Sequence, residues 1–370
     1  MKILQVCVDL DGGGIDRYLL NYCSRLSDIR FDFAIVDNKK VGILEKDIKN
    51  LGSTIYRVPR QTGNVRKNYQ TLKKIMTENK YDAVHVHLGY KGFLALTCAK
   101  RCGIKVRIVH AHIANEPENF KQRILRFMFA ILTKMQATHL FACGIAAAKW
   151  VWGKRAYKRN KVTIINNAIQ SDKYRFDNDI RENARKELGL KENTFAIGHV
   201  GRLCAQKNQL RLLDIYKEIE KINPDSHLFM VGRGELQHDI ENKINDLGLQ
   251  DKITLLGVRD DVHLLLNAFD VFVFPSVYEG LPFTLIETQC NGLPALSSTA
   301  VTNLVKVGPC VNFIGLEKDD ETWAKHACAL TVTNRAECYK DIIENGYDLN
   351  IEAGKLRKYY EQAVQKVKRG

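Results

Sequence analysis

The chain has 370 residues, 45% of them hydrophobic, and at roughly 100–200 residues per domain this length predicts two domains with ample core-forming material. No apolar stretch reaches the roughly 18 residues needed to cross a bilayer, and the opening MKILQVCVDL becomes charged too early for a secretory signal. Residues 1–170 hold 30 Lys and Arg against 12 Asp and Glu, a net +18, whereas residues 171–370 hold 26 against 30, a net −4.

The basic half predicts an anionic partner: a phosphorylated substrate, an acidic membrane surface or a nucleic acid. The third class is disfavoured because the chain shows no recognition helix, RNA-binding motif or aromatic-basic strip. The ten cysteines form no CxxC pair and no regular framework, so they indicate reduced thiols and a cytoplasmic protein.

Strand-like runs alternate with helical ones, which predicts an α/β fold of parallel sheets built from βαβ units. Helices are predicted near Asp16–Leu26 and Tyr69–Thr77, among others. Strands of the first half are predicted at 2–8, 31–37, 54–59, 82–88, 105–112, 139–144 and 162–169. Those of the second half are predicted at 196–203, 227–232, 252–257, 271–276 and 294–298.

The pattern of strands is interrupted by a polar, charge-rich stretch that begins SDKYRFD. We place the linker near Ser171–Asp177, with an N-terminal domain at 1–172 and a C-terminal domain at 173–353. Two such open α/β domains are expected to face a central cleft, which is the usual location of a ligand.

Two features of the N-terminal half follow predicted strands. Gly13 and Gly14, in DLDGGGIDRYLLNY, would let a ligand approach the backbone closely before a helix starts, although an ordinary turn is as good an interpretation. Histidines recur in VHVH and VHAH, at His85 and His87 and then at His110 and His112. No Cys or carboxylate accompanies them at ligand spacing, so no metal site is predicted.

The segment Phe120–Met135 is apolar, with basic residues spaced along it. One interpretation is a basic amphipathic helix that lies on an anionic membrane surface. The other is a half-buried domain helix whose basic positions face solvent, and both stay open at this point.

The second domain opens with HVGRLCAQKNQ, in which Arg202 and Lys207 follow a predicted strand and precede a helix that begins near Asn208. Arginine offers a planar fork for phosphate oxygens and lysine a point charge. The alternative is that both are solvated surface cations.

Two glutamates eight positions apart, Glu279 and Glu287, lie in PSVYEGLPFTLIE. Because proline is favoured at the first position of a helix, Pro282 predicts that Glu279 lies on the preceding loop and Glu287 inside the helix. The apolar run DVFVFP before them predicts a buried parallel strand, and ligands bind at that end of such strands. Carboxylates near a helix N-terminus suit sugar hydroxyls rather than phosphate.

These motifs, in this order along nearly the whole chain, resemble glycosyltransferase family 4, the retaining GT-B glycosyltransferases, and within it the bacterial enzymes of capsular and exopolysaccharide assembly. The most specific match is EGLPFTLIE, supported by GRLCAQKN, VGRGEL, VHVH, VHAH and NNAI. The resemblance implies a GT-B fold of two Rossmann-like, doubly wound domains, with a final helix, about 354–370, that crosses back to the N-terminal domain.

The resemblance also implies a role for each site residue. Arg202 and Lys207 would bind the diphosphate of a nucleotide-sugar, and Glu287 the ribose hydroxyls. Glu279 and His110 would contact the donor sugar. The amides of Phe283, Thr284 and Leu285 would contact the phosphates, which Gly13 and Gly14 would approach from the other domain. The backbone around Val258 would contact the base. No cofactor and no metal is implied, since the nucleotide-sugar is itself a substrate.

The expected reaction is retaining transfer of a sugar, with UDP favoured as the nucleotide, to a hydroxyl of a polyprenyl-diphosphate-linked glycan. A peripheral position on the inner face of the membrane would suit such an acceptor. Two alternatives are an inactive nucleotide-sugar-binding subunit of an enzyme pair and a sugar-nucleotide epimerase of the same fold.

Overall fold

The structure, a computed structural model, describes residues 1–113, 119–279, 281–332 and 334–369. It divides into two compact units: Met1–Ala168 together with the C-terminal segment from Leu349, and Ile169–Asp348. The boundaries predicted from the sequence lie at 172/173 and 353/354. The predicted linker segment carries a short helix of the second unit.

The first unit contains a seven-stranded parallel sheet in the order β3-β2-β1-β4-β5-β6-β7. Its strands are nearly continuous apolar runs, as expected for strands that are covered on both faces. They are β1 Lys2–Val6, β2 Arg30–Val36, β3 Ile55–Val58, β4 Ala83–Val86, β5 Val106–Ala111, β6 His139–Ala142 and β7 Val162–Ile164.

Helices alternate with these strands along the chain. They are α1 Gly14–Arg25, α2 Glu45–Asn50, α3 Val65–Asn79, α4 Phe93–Arg101, α5 Phe120–Gln136, α6 Ile145–Ala147 and α7 Lys154–Lys158, with a 3-10 turn at Gly89–Gly92 and a π-helical turn at Ala148–Trp152.

The second unit contains a six-stranded parallel sheet in the order β10-β9-β8-β11-β12-β13. Five of its strands were predicted, whereas β13, a four-residue run bounded by Cys310 and Gly315, was missed. The strands are β8 Phe195–Val200, β9 Ser226–Val231, β10 Ile253–Gly257, β11 Val271–Phe274, β12 Ala295–Ser298 and β13 Val311–Ile314.

The helices of the second unit cover both faces of its sheet. They are α8 Ser171–Tyr174, α9 Asn178–Glu187, α10 Gln209–Ile222, α11 Gln237–Asp246, α12 Val262–Ala268, α13 Phe283–Cys290, α14 Asp320–Ala329 and α15 Tyr339–Glu344, with 3-10 turns at Asn303–Val305 and Arg335–Glu337.

The last helix, α16 (Leu349–Arg369), belongs to the first unit and packs against α1. Its buried positions recur at helical spacing, from Leu349 through Leu356 to Val364. The hydroxyl of Tyr360 lies 2.6 Å from Nδ1 of His85 on β4, and both side chains are fully buried. Helix α16 therefore completes the core around β4 of the first unit.

We expect Tyr360→Phe to destabilise the first unit, because it leaves a buried imidazole nitrogen of His85 without its partner. An orphaned buried polar group costs about 1–3 kcal/mol. Urea denaturation measures the loss, and Tyr69→Phe is the matched control because its hydroxyl meets Arg101 at 3.5 Å on the surface. Equal stabilities of the two variants would contradict the role given to Tyr360.

Candidate functional site

The order of strands in the second sheet reverses between β8 and β11. The chain runs outward from β8 to β10 and then returns to the other side of β8 with β11. The loops that follow these two neighbours therefore diverge at the carboxyl edge of the sheet, which is where open α/β folds bind ligands. Lys207 follows β8 and Glu279 follows β11.

Lys207 and Glu279 form an ion pair at this reversal point. The ammonium nitrogen lies 2.6 Å from Oε1 of Glu279, and the two side chains are 15% and 10% exposed. The ammonium also lies 4.6 Å from the ring centroid of Phe274, where the π face adds attraction. Both charges are largely withdrawn from water, so each depends on the other for compensation.

A glycine leaves room for the lysine stem. A Cβ at Gly201 would lie 3.2–3.4 Å from three carbons of the Lys207 side chain, a tighter fit than ordinary packing. In the sequence GRLCAQKN, Gly201 therefore lies where the side chain of Lys207 packs against the backbone.

The two loops are also tied together by hydrogen bonds to backbone carbonyls. The amide of Val277 donates to the carbonyl of Gln206 at 2.8 Å, and the side chain of Gln206 donates to the carbonyl of Tyr278 at 3.0 Å. Asn208, which adopts a left-handed conformation with φ 59°, donates to the carbonyl of Pro275 at 3.1 Å. These bonds hold the segment that carries Lys207 beside the segment that carries Glu279.

Gln209, which the sequence analysis missed, holds the inner side of the same loop. It is fully buried, donates to the carbonyl of Arg202 at 2.8 Å and accepts from the amide of Cys204 at 3.3 Å. Its amide nitrogen also lies 3.2 Å from Nε2 of His199. Burial lowers the pKa of His199 to about 4, so the imidazole is neutral and can accept this bond.

Glycines of VGRGEL allow a second backbone to lie against this loop. A Cβ at Gly232 would lie 2.0 Å from the carbonyl oxygen of Gly201, and one at Gly234 would lie 2.1 Å from that of Leu203. The amide of Leu203 in turn donates to the carbonyl of Arg233 at 3.3 Å. These glycines are required by close packing of two strand-end loops.

Arg202 and Val258 lie at the outer margin of the site. Arg202 is 72% exposed and pairs with Glu235 at 3.1 Å, a surface contact that contributes little to stability. Its side chain is therefore available to other anions. Val258 follows β10 and is exposed, and Gly257 beside it has φ 66° and accepts from the amide of Gly232.

Helix α13 begins one residue later than predicted. Pro282 occupies the capping position with extended backbone, so Phe283 rather than Pro282 is the first helical residue. The amide of Leu285 donates to the carbonyl of Pro282 at 3.2 Å. Phe283, Thr284 and Leu285 form the first turn, where backbone amides point out of the helix end.

The structure places the two glutamates in different settings. Glu279 lies on the loop, in an isolated bridge with Val301, whereas Glu287 lies inside α13. Glu287 is half-buried and its Oε1 accepts a hydrogen bond from the hydroxyl of Tyr174 at 2.9 Å. Tyr174 is a contact that no sequence pattern indicated.

The glycine loop of the first unit already holds a carboxylate. Asp16, at the third position of α1, accepts from the amides of Gly12 at 3.1 Å and Gly13 at 2.9 Å. Burial raises the pKa of Asp16 to about 6, although the bond from Gly13 acts in the opposite direction. Gly14 is the first residue of α1. An anion that approached this loop would meet Asp16.

Four histidines, His85, His87, His110 and His112, form a cluster that contacts Tyr18 of α1, next to the reversal between β1 and β4. His87 links His112 to Gln5, with Nδ1 at 2.9 Å from Nε2 of His112 and Nε2 at 2.7 Å from Oε1 of Gln5. His110 is fully buried within β5, whereas His112 is half-buried just beyond that strand. The predicted sugar contact, His110, is therefore the less accessible of the two.

Burial lowers the pKa of all four imidazoles. The pKa of His112 falls to about 3, and those of the other three lie well below their usual range, with neighbouring imidazoles adding to the effect of burial. Both ring nitrogens of His110 have no hydrogen-bond partner within the described part of the chain. The cluster is thus neutral at physiological pH.

Three members of the cluster lie close enough together to be compared with a metal site, although none is predicted from the sequence. Ligand atoms of His85, His87 and His110 lie within 4.8 Å of one another. Both nitrogens of His87 and Nδ1 of His85 already make hydrogen bonds.

Over the described ranges, no helix is long and apolar enough to span a bilayer.

Comparisons with known proteins cover both units. A profile described as Glycosyltransferase Family 4 matches residues 12–173, and one described as Glycosyl transferases group 1 matches residues 180–349. The chain is 28% identical over 376 residues to the putative glycosyltransferase EpsF of Bacillus subtilis, covering 99% of this chain and 97% of that protein.

A second relative is the UDP-Gal:alpha-D-GlcNAc-diphosphoundecaprenol alpha-1,3-galactosyltransferase of Escherichia coli, which is 31% identical over 296 residues, 77% of this chain and 76% of that protein. Among solved structures, HepE of Anabaena in complex with UDP superimposes with a TM-score of 0.78 at 17% identity, covering 98% and 100% of the two chains. The predicted fold class, two Rossmann-like domains of the GT-B type, is confirmed.

We expect Gly234→Ala to destabilise the second unit by about 1–3 kcal/mol, because the added Cβ must displace the carbonyl of Leu203. Gly354→Ala is the control, since a Cβ there meets no atom within 4 Å and the site is helical. The control should be neutral or stabilising. Thermal denaturation that ranks the two variants the other way would contradict the packing described for the loop.

We expect the free energy of unfolding to fall as the pH decreases below about 6.5, the usual pKa of an unfolded-state histidine. The four imidazoles stay neutral in the folded chain and protonate in the unfolded chain, which then binds more protons. Each contributes about 1 kcal/mol between pH 6.5 and 5.5. The loss should continue towards pH 3, where His112 titrates in the folded chain.

Urea denaturation across this range measures the slope. His110→Gln should reduce the slope, whereas His238→Gln, at an exposed position on α11, should leave it unchanged. A wild-type stability that is flat from pH 7 to 5 would show that the cluster is not kept neutral by the fold.

Proposed function

The chain belongs to glycosyltransferase family 4, with the bacterial glycosyltransferases of polysaccharide biosynthesis. From this premise we propose that it transfers a hexose from a UDP-hexose to a hydroxyl of a lipid-linked glycan. The transfer retains the configuration of the sugar and uses no metal ion. The name of the E. coli relative supports the UDP donor and the polyprenyl-linked acceptor, and the UDP complex of HepE supports the nucleotide. The acceptor meets the enzyme at the inner face of the cell membrane.

The observation that carries the proposal is the ion pair of Lys207 and Glu279 at the reversal point of the second sheet. A cation there suits a diphosphate, and a carboxylate beside it suits the hydroxyls of the attached sugar. Because the pair is largely excluded from water, its charges act at low dielectric, where they are strongest.

We assign the donor contacts as follows. Lys207 and Arg202 bind the diphosphate, and Arg202 reaches it by leaving its weak surface pair with Glu235. Glu287 binds the ribose hydroxyls from within α13, held by Tyr174. The first-turn amides of Phe283 and Thr284 stabilise the phosphate charge, and Leu285, whose amide already donates to Pro282, contributes through the partial charge of the helix end. The backbone at Val258 contacts the base.

Residues of the first unit complete the assignment. Gly13 and Gly14 contribute close approach through the lack of a Cβ, because the amide of Gly13 already donates to Asp16. His110 is fully buried, so we give it a positioning role through His112, whose ring centroid lies 4.0 Å away. In this assignment His112, just beyond the end of β5, contacts the sugar hydroxyl.

The reaction proceeds by attack of the acceptor hydroxyl on the anomeric carbon from the face that the diphosphate leaves. The C1–O bond to UDP breaks as the new C1–O bond forms, and a diphosphate oxygen takes the acceptor proton. The protein contributes electrostatic stabilisation of the leaving diphosphate by Lys207, Arg202 and the amides of α13. Glu279 and Glu287 are committed to hydroxyls, so no covalent sugar intermediate is assigned.

We expect Lys207→Ala to lose at least about 100-fold in turnover, as when a preorganised charge contact to a leaving group is removed. Lys243→Ala is the matched control, because it breaks an ion pair of the same length, 2.6 Å to Asp214, on the surface of the same unit. Turnover is measured as UDP release from a panel of UDP-sugars with a polyprenyl-diphosphate glycan acceptor, in the presence of EDTA.

The same panel separates the remaining roles. Arg202→Ala should also lower turnover, and Glu287→Ala should chiefly weaken binding of UDP by about tenfold, as measured by calorimetry. Wild-type rates in Lys207→Ala would refute the assignment of the diphosphate. Binding of UDP-sugars without turnover in any acceptor mixture would favour an inactive binding subunit.

A further inference from the structure

Helix α5 directs its large apolar side chains away from the protein. All nine of them are between 37% and 79% exposed, and the most exposed are Phe120, Phe127 and Met135. We call this surface the α5 apolar face; it consists of Phe120, Ile124, Leu125, Phe127, Met128, Phe129, Ile131, Leu132 and Met135.

The side of α5 that faces the domain is small and polar. Its buried residues are Ala130 and Thr133, and the hydroxyl of Thr133 donates to the carbonyl of Tyr90 at 2.7 Å. Arg126 and Lys134 donate to the carbonyls of Trp150 and Trp152 at 2.6 and 2.9 Å. A water-facing helix of a globular domain normally has the opposite arrangement, with apolar residues towards the core.

This arrangement excludes one of the two interpretations of the segment. A half-buried domain helix would cover its apolar stripe, yet six members of the α5 apolar face follow one another at helical spacing and stay in solvent. The six are Phe120, Ile124, Phe127, Met128, Ile131 and Met135. An exposed apolar surface of this extent marks an interaction site.

The charge around the face identifies its partner. The helix contains no Asp or Glu, and Lys121 and Arg123 on its first turn are exposed. Lys91 and Lys149, on two segments that pack against α5, are exposed as well. A second copy of this basic surface would be repelled, whereas an anionic lipid surface would be attracted.

We propose that the α5 apolar face inserts into the headgroup and acyl boundary of an anionic bilayer, with Lys121, Arg123, Lys91 and Lys149 at the lipid phosphates. Asn119 and Gln122 form a reciprocal capping box at 2.8 and 2.9 Å, so the helix is already formed before it meets the membrane. The proposal deepens the proposed function, since it rests on a lipid-linked acceptor, but lipid binding is measured without any sugar transfer.

The test compares three forms of the full chain by co-sedimentation with vesicles of phosphatidylcholine alone and of phosphatidylcholine mixed with phosphatidylglycerol. The variant carries Phe120→Ser, Phe127→Ser and Met135→Ser. The control carries Val41→Ser, Ile43→Ser and Val65→Ser, which remove three exposed apolar side chains elsewhere in the same unit. The wild type and the control should bind the anionic vesicles, and the variant should bind at least about tenfold more weakly.

A charge variant, Lys121→Gln with Arg123→Gln, should lose about fivefold in affinity per cation, whereas Lys39→Gln with Lys40→Gln, which are exposed at the end of β2, should not. Absence of wild-type binding to anionic vesicles at low salt would overturn the proposal. A wild-type dimer in analytical ultracentrifugation that becomes monomeric in the apolar variant, with unchanged vesicle binding, would assign the face to self-association instead.

Activity separates this proposal from the proposed function. On a detergent-solubilised acceptor, the apolar variant should keep the wild-type rate, because none of its residues is assigned to the donor site. On the same acceptor in anionic vesicles, it should be slower by the same factor as its loss of binding. Wild-type transfer with no vesicle binding would leave the proposed function intact and refute the membrane face.

Discussion

The ion pair between Lys207 and Glu279 is the constraint on which the second domain depends. Two charges this poorly exposed are stable together and costly apart, so the loops that carry them must be held in register. Hydrogen bonds between the loops, the amide of Gln209 beneath one of them and the close approach of Gly234 all serve that end. Many residues of the loops after β8 and β11 thus hold Lys207 and Glu279 in contact.

The first domain has its own reversal point, between β1 and β4, with the opposite electrostatic character. There the polar groups are imidazoles held neutral by burial, and the carboxyl of Asp16 on α1 has a raised pKa of about 6. One sheet edge therefore presents compensated charge and the other presents neutral hydrogen-bonding groups.

Sequence reasoning located twelve of the thirteen strands in the described part of the chain, because buried parallel strands are continuous apolar runs. It missed β13, whose short run carries little signal, and it started α13 one residue early, because proline is compatible with both the capping and the first position. It could single out Lys207 and Glu279 but not their contact. The buried hydrogen bonds of Gln209 could not be predicted, because a glutamine at the start of a helix is usually exposed and no sequence pattern distinguishes this one.

The return of α16 to the first domain has a consequence for how the chain is made. The ribosome synthesises α16 only after the whole second domain, yet Tyr360 supplies the buried partner of His85 on β4. The second domain, whose segment is continuous, can finish folding while the first still lacks its closing helix. The first domain therefore matures after the second, and a chain that terminates before α16 would have a complete second domain and an incomplete first one.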